Sequence, residues 1–221
     1  MNLSDDNQSE PRKSKNVLGY VSIMIAEIAL AISILTSYRN VLKPFELVIR
    51  IDPQMQIQHK TNLGLYVHVD LFNKSPTNGL ITQVALILYK TASIENKYLL
   101  TFNSFRVIDK DGVYSASEEE LPLFFEPWER KTKVMSFIFD IRDEEFPVST
   151  GTYACELLVW TDYSKMARYV EEFKFEISAD VLSAYLDRRE KGSTTLEPID
   201  IVGYTRLKSK KLTEEEYKQL H

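Results

Sequence analysis

The amino-acid sequence predicts a mainly β protein, in which an N-terminal transmembrane helix precedes an antiparallel β-sandwich and a short helical C-terminal extension. One apolar run near the N-terminus is long enough to cross a bilayer. Residues 44–178 contain short segments of alternating apolar and polar residues separated by turn formers, and no apolar period of helix length. This pattern is typical of a sandwich rather than of a parallel α/β fold.

Changes in composition divide the chain into four segments. Residues 1–15 are polar and have no apolar period, so we expect a disordered tail. A transmembrane helix is predicted at 16–38, and Pro44 ends any helix before the β-sandwich domain at 44–179. The remainder, 180–221, is predicted to be a helical or irregular C-terminal extension.

The apolar run from Val17 to Leu35 decides the class of protein. It contains a single charge, Glu27, and at about 1.5 Å per residue it spans the roughly 30 Å of hydrocarbon in a bilayer. A signal peptide has a shorter apolar region followed by small residues at a cleavage site, and a buried core helix has a polar face. This run has neither property. We therefore expect an uncleaved anchor that crosses the cell membrane once.

Small residues recur along this helix at spacings of three and four. They form one stripe, which lets another helix approach closely: Gly19, Ser22, Ala26, Ala29, Ser33 and Thr36. Glu27 points about 130° away from that stripe. An ionisable group near mid-bilayer costs about 2.5–3.5 kcal/mol and usually faces a partner or water. The expected partners are therefore the lipid bilayer and another membrane protein or a second copy of this chain; the alternative is a protonated Glu27 without a partner.

Positive charges near the span bear on its orientation. They are equally numerous on the two sides: Arg12, Lys13 and Lys15 before the span, and Arg39, Lys43 and Arg50 after it. The count is therefore a tie. The closest charges favour a cytoplasmic N-terminus, which would put the globular domain outside the cytoplasm.

The clearest strand is the segment 63–72. Its alternate residues Leu63, Leu65, Val67, Val69 and Leu71 are expected to face the core. Turn formers at 73–79 lead into a second apolar run at 80–90, so residues 63–90 are interpreted as two antiparallel strands joined by a loop. Further strands are predicted at 45–51, 97–102, 105–108, 133–141, 152–160 and 167–178.

Three segments, FNKSPTNGLITQVAL, LPLFFEPWERKTKVMSFIF and GTYACELLVWTD, resemble uncharacterised single-pass membrane proteins with immunoglobulin-like (Ig-like) or fibronectin-like sandwiches. In that pattern a polar, Asn-containing turn precedes an I-x-x-(V/I)-x-L strand, and a Pro-containing turn precedes a strand that ends in Phe. The resemblance covers about residues 60–178. It implies an Ig-like fold and no active site.

The chain changes character after the last of these strands. Asp180 is predicted to cap a helix over 180–191. Residues 192–212 are interpreted as a linker or arm with a candidate short strand at 199–204. Capping-box spacing predicts a further helical turn or two from residue 213.

Charge and motif content argue against several functions. Residues 44–179 carry 14 Lys and Arg against 20 Asp and Glu, and such an acidic domain is not typical of nucleic-acid binding. The three His have no second ligand at metal-binding spacing, and there is no nucleophile elbow or Gly-rich phosphate loop, so no metal site, cofactor or catalytic residue is predicted. His68 is interpreted as a surface imidazole, and Cys155 as a buried packing residue.

Two further groups of candidate residues are acidic and aromatic. The acids at 118–120, together with Asp140, Asp143, Glu144 and Glu145, are interpreted as solvated loops. The aromatic residues Phe124, Phe125, Trp128 and Trp160 are interpreted as core, and the alternative is a binding platform.

The leading functional hypothesis is a membrane-tethered, non-enzymatic interaction or scaffold module. One alternative is a membrane-anchored carbohydrate-binding or hydrolytic domain that uses the acidic loop residues, which surface exposure of Trp128 would favour. The other is an accessory subunit of a transporter or sensor complex, in which Glu27 pairs with a basic group on a partner helix.

Overall fold

The structure is a computed structural model, and it describes residues 12–38, 43–59, 63–108, 110, 114–139, 147–191, 199–213 and 215. The chain divides into two compact units, Met1–Pro44 and Phe45–His221. The first unit carries an apolar helix and the second carries a large β-sheet.

Helix α1 runs from Arg12 to Ser37. It contains the 19-residue stretch Gly19–Ser37, which is long and apolar enough to cross a membrane; a signal sequence near an N-terminus meets the same criterion. Every side chain from residue 19 to residue 38 is exposed. The predicted apolar helix is therefore confirmed, and membrane insertion stays a prediction.

Strands dominate the second unit. Within the described residues these strands are β1 (Leu47–His59), β2 (Leu63–Asn73), β3 (Gly79–Lys90), β4 (Lys97–Ile108), β5 (Tyr114–Ala116), β6 (Leu123–Phe125), β7 (Arg130–Ile138), β8 (Gly151–Thr161), β9 (Tyr169–Ile177) and β10 (Ile199–Lys211). Helix α2 (Ala179–Glu190) precedes β10. The mainly β class that the alternating pattern predicts is confirmed.

All ten strands belong to one antiparallel sheet in the order β5-β4-β7-β2-β1-β10-β9-β8-β3-β6. Strand β4 also pairs with β3, so the pairings of eight strands return on themselves and the sheet is nearly barrel-shaped. The junction between β1 and β10 is short: the registered pairs run from Met55 with Ile201 to Ile57 with Ile199. The predicted two-sheet, Ig-like sandwich is not confirmed.

The two strands predicted at 63–90 do not pair with each other. Both segments are strands, but β2 pairs with β1 and β7, whereas β3 pairs with β4, β6 and β8; every residue of both strands is described. Alternation specifies which face of a strand is buried, and it does not specify the partner strand. The connection at 74–78 therefore crosses to a different part of the sheet.

Two predicted strands are longer than their sequence patterns. The segments 97–102 and 105–108 form the single strand β4, with a register shift between Phe102 and Ser104. Strand β1 continues beyond residue 51 to His59, with an irregularity between Ile51 and Met55. That stretch contains a proline, which cannot donate to a neighbouring strand and is tolerated in a bulge.

A dense apolar core fills the inner face of the sheet. All five residues that the alternation in β2 assigns to that face are buried. The largest fully buried side chains are the six phenylalanines Phe105, Phe125, Phe137, Phe139, Phe173 and Phe175. Because these rings occupy the interior, the inside of the sheet is packing material rather than a ligand chamber.

The C-terminal region differs from the sequence interpretation. Helix α2 begins at the N-cap Ser178, whose hydroxyl accepts a hydrogen bond from the Val181 N–H, and Asp180 lies in the first turn. Val181 and Tyr185 pack into the main core. The candidate strand at 199–204 is confirmed and is longer than predicted, because residues 199–211 form β10, which belongs to the sheet and is not a linker or irregular arm.

Cys155 is buried on the inner face of β8, as predicted. Burial and the neighbouring Glu156 carboxylate raise the pKa of its thiol well above the ordinary value. The reactive thiolate is therefore rare at neutral pH as well as inaccessible.

We expect a thiol reagent to label Cys155 only after the protein is denatured, because in the folded protein the thiol is inaccessible and its raised pKa keeps it protonated. Mass spectrometry after timed exposure to maleimide measures this. The matched control is Ile94→Cys in the exposed turn after β3, which should react quickly in the folded protein. Equal labelling rates at the two positions would contradict a structural role for Cys155.

Candidate functional site

Four connected segments form the end of the sheet at which the second unit begins, here called the Phe45 end. They are residues 45–46, the connection 74–78, the turn 126–129 and the connection 162–168. The strand registers bring them together, because Leu47 lies opposite Asn73, Gly79 opposite Phe125, and Ile81 opposite Thr161. We treat this end as the candidate functional site.

Asn73 is the central polar residue of the Phe45 end, and its side chain is fully buried. Its Nδ2 donates to the carbonyl oxygens of Thr77 and Glu126, both at 2.8 Å. Its Oδ1 accepts from the Ser75 N–H at 3.0 Å and from the Ser75 hydroxyl at 2.6 Å. One amide thereby joins the connection 74–78 to the turn 126–129. All of its donors and its acceptor have partners, as is usual for buried polar groups in folded proteins.

Phe45 closes the same end. A Cβ added to Gly79 would come within 1.9 Å of the Phe45 ring, so glycine at this position lets the ring lie directly on the backbone. The Leu47 N–H donates to the Tyr169 hydroxyl at 3.1 Å, and that hydroxyl donates to the Phe45 carbonyl at 3.4 Å. Burial raises the pKa of Tyr169, so the phenol keeps its proton and remains a donor at neutral pH.

Three large aromatic side chains are exposed around this buried base. The exposed fractions are 49% for Phe124, 55% for Trp128 and 77% for Tyr163. Phe124 lies opposite Leu80, and Leu80 is joined to Asp162 by two hydrogen bonds of 2.9 and 3.2 Å. Phe124, Leu80 and Asp162 thus form one row across the sheet, with Tyr163 next in the chain.

Trp128 has an unusual backbone conformation, with a φ of 62°. It follows Pro127 in a turn in which the Glu129 N–H donates to the Glu126 carbonyl at 3.2 Å. A proline followed by a residue with positive φ is the type II arrangement, whose third position favours glycine. The turn therefore places the bulky Trp128 side chain at a position whose backbone conformation favours glycine.

The left-handed conformation recurs at the neighbouring connection. Asp162 and Tyr163 have φ values of 52° and 56°. A non-glycine residue in this region is uncommon and costs on the order of 1 kcal/mol, so the surrounding structure must impose it. Two of the three exposed aromatic residues are thus presented by strained turns.

The aromatic set that the sequence assigns to the core divides in two. Phe125 and Trp160 are buried, as predicted, whereas Phe124 and Trp128 are exposed and the prediction for them is wrong. Strand β6 has three residues and alternates inward and outward, so Phe124 points away from the core. The Glu-Pro-Trp-Glu turn was the available sequence signal for Trp128, because it places the indole in a loop rather than in a strand.

A surface pocket of about 210 Å³ lies on the outer face of β1, β2 and β7. Its lining consists of Val48, Arg50, Asp70, Phe72 and Arg130. Arg130 holds Asp70 through a hydrogen bond from Nε and an ion pair from Nη2, both at 2.6 Å. Asp70 in turn raises the pKa of Arg130. Since this carboxylate is already paired, the pocket has no free general base.

His68 belongs to a second cluster, on the outer face of β2. Its Nε2 lies 3.1 Å from the Tyr114 hydroxyl, and the Tyr114 ring stacks on Tyr66 with centroids 5.3 Å apart. The Arg106 guanidinium lies 5.5 Å from the centre of the Tyr66 ring. Burial raises the pKa of Tyr66. These contacts attach the short strand β5 to the sheet, which is a packing role.

The acidic clusters divide between described and undescribed residues. Glu119 forms an ion pair with Lys133, and Glu118 and Glu120 are exposed. The cluster of Asp140, Asp143, Glu144 and Glu145 lies outside the described residues. Among the residues that the structure describes, no group of three or more His, Cys, Asp or Glu is arranged to hold a metal ion.

The residues predicted to contact a partner helix all lie on α1. They are Gly19, Ser22, Ala26, Glu27, Ala29 and Ser33, and each is exposed. A Cβ added to Gly19 would meet no atom within 4 Å. Their contact with another helix stays a prediction.

Comparison of the chain with protein-family models, with curated proteins and with solved structures gives no match.

Replacing Asn73 with Ala should lower the free energy of unfolding by about 2–3 kcal/mol, because it leaves buried carbonyl and N–H groups without partners. Thermal unfolding of the full chain in mild detergent, followed by intrinsic fluorescence, measures the change. The matched control is Asn78→Ala in the same connection, where the side chain is exposed and the expected change is below about 0.5 kcal/mol. Equal losses in the two variants would contradict the central role of Asn73.

Proposed function

We propose that the chain is a single-pass membrane protein whose β-rich unit acts as a tethered, non-enzymatic interaction or scaffold module. The observation that carries the proposal is the exposure of the whole apolar stretch Gly19–Ser37. Exposing one large aliphatic side chain to water forgoes about 1.5–3 kcal/mol, so a helix covered with them is suited to lipid or to other helices. Tyr20 and Tyr38 lie near its two ends, where the membrane interface favours tyrosine.

The second unit supports a binding role by its construction. Its interior is packed, and the described pocket contains a carboxylate that is already paired with arginine. The features that remain on the surface are exposed aromatic side chains on a rigid, hydrogen-bonded end. Aromatic residues are enriched in interaction surfaces, because each offers a large contact area with few rotatable bonds.

The exposure of Trp128 also favours a second candidate, a membrane-anchored carbohydrate-binding domain. Sugar rings can stack on an exposed indole, and such stacking changes its emission. Titration of the full chain with cellohexaose and chitohexaose, read as Trp emission in wild type and in Trp128→Gly, tests this candidate. An emission change that requires Trp128 supports it, and the absence of any change argues against it.

Membrane integration gives the first test of the main proposal. We expect the full chain, expressed in cells, to remain in the membrane pellet after extraction with alkaline carbonate, because the apolar span partitions into hydrocarbon. A chain that starts at Pro44 is the matched control and should be released. Recovery of the full chain in the soluble fraction, or a mature N-terminus near residue 38, would refute the anchor.

Assembly through the helix gives the second test. Glu27→Leu should weaken co-purification in mild detergent several-fold, because interhelical polar contacts contribute about 0.6–2 kcal/mol. Ala26→Leu should do the same by blocking the stripe of small residues. The control is Ile28→Leu, which at about 100° per residue lies on a helix face away from both features. If all three variants assemble like the wild type, the helix is a plain anchor.

A further inference from the structure

We infer that the Phe45 end of the second unit docks on the bilayer interface, with Phe124, Trp128 and Tyr163 seated at the level of the lipid headgroups. This inference rests on the proposed membrane anchor and goes beyond it, because it assigns a lipid-binding surface to the β-rich unit. The occupant is the surface of the same membrane that holds α1. Three observations support it.

Chain connectivity limits where the Phe45 end can be. Helix α1 ends at Ser37, and Phe45 follows eight residues later. An extended chain covers at most about 3.6 Å per residue, so the first buried residue of the second unit lies within about 29 Å of the end of the span. In an anchored protein, the linker therefore limits how far Phe45 can lie from the membrane surface.

The exposed side chains have the chemistry of the interface. Tryptophan and tyrosine are enriched at both membrane surfaces, because one part of each ring system is apolar and another carries a hydrogen-bond donor. The Trp128 indole N–H makes no hydrogen bond within the described part of the chain, so it is available to a headgroup or to interfacial water. Phe124 adds a further exposed apolar side chain at the same end of the sheet.

The strained turns add an independent argument. Trp128 occupies a position that favours glycine, and Tyr163 shares its left-handed conformation. Neither exposed ring lies within the described apolar core. Strain at an exposed aromatic residue without a packing role is typical of a functional position.

Tryptophan quenching in the full chain tests the docking. The chain has two tryptophans, and Trp160 is buried, so Trp160→Phe leaves Trp128 as the reporter. The protein is placed in nanodiscs of phosphatidylcholine and phosphatidylserine with and without 6,7-dibromo acyl chains. We expect Trp128 to lose about half of its emission in the brominated lipid, as an indole at headgroup level should. Wild type also contains the buried Trp160, so it should lose a smaller fraction of its total emission than the Trp160→Phe variant. This measurement keeps the test valid if Trp160→Phe folds poorly.

Two matched variants control for orientation and folding. Trp128→Gly suits the type II turn, so it should unfold at the same temperature as wild type or higher, and its remaining Trp160 should be insensitive to bromine. Adding Ile94→Trp to this variant puts an equally exposed indole in the turn between β3 and β4, at the opposite end of the sheet. That probe should keep its emission in the brominated lipid.

Each outcome has one meaning. Strong quenching of Trp128 with none at position 94 supports the docking. Equal quenching at both positions, or none at Trp128 in a chain that resists carbonate extraction, overturns it and leaves the anchor intact. Release of the chain by carbonate refutes the anchor and the docking together. If Trp emission is the same in brominated and ordinary lipid but changes with chitohexaose, the docking is overturned in favour of sugar binding.

Discussion

The second unit depends on the antiparallel strands pairing in a ring around an apolar interior. Strand β4 must pair on both edges, and β10 must return from the far end of the chain to bridge β9 and β1. This arrangement leaves few sheet edges unpaired, which removes a common route to aggregation. Phenylalanine and aliphatic side chains fill the inner face of this ring of strands. Ligands and partners are consequently confined to the outer faces and the two ends.

The Phe45 end illustrates how buried polar groups organise a surface. A loop that crosses from β2 to β3 carries backbone groups that lose water, and Asn73 supplies their partners from a single side chain. The Tyr169 hydroxyl does the same for the first residues of the unit. These contacts join three of the four segments, and two hydrogen bonds between Leu80 and Asp162 attach the fourth, so the turns can keep left-handed residues and present aromatic rings outward.

The two units follow opposite rules of hydrophobic exposure. In the second unit, alternate residues are apolar and the polar ones face outward, as expected for a protein that folds in water. In the stretch Gly19–Ser37 of α1, the apolar residues occupy every face and are exposed. Such a helix is suited to lipid, and Glu27 is the one charge within it that demands a separate explanation. This contrast connects the proposed anchor with the proposed docking of the Phe45 end.

Local pattern alone determined the apolar helix, the strand character of most segments, the inward face of β2 and the burial of Cys155. These properties follow from periodicity and composition within a few residues of each position. Tertiary structure decided which strands pair, because alternation does not encode a partner, and it therefore made β10 part of the sheet and separated β2 from β3. It also decided the exposure of Trp128, because the Glu-Pro-Trp-Glu sequence indicates a turn but does not specify whether the indole in that turn packs inward or points outward. Only the turn held between Asn73 and Ser75 turns that indole outward.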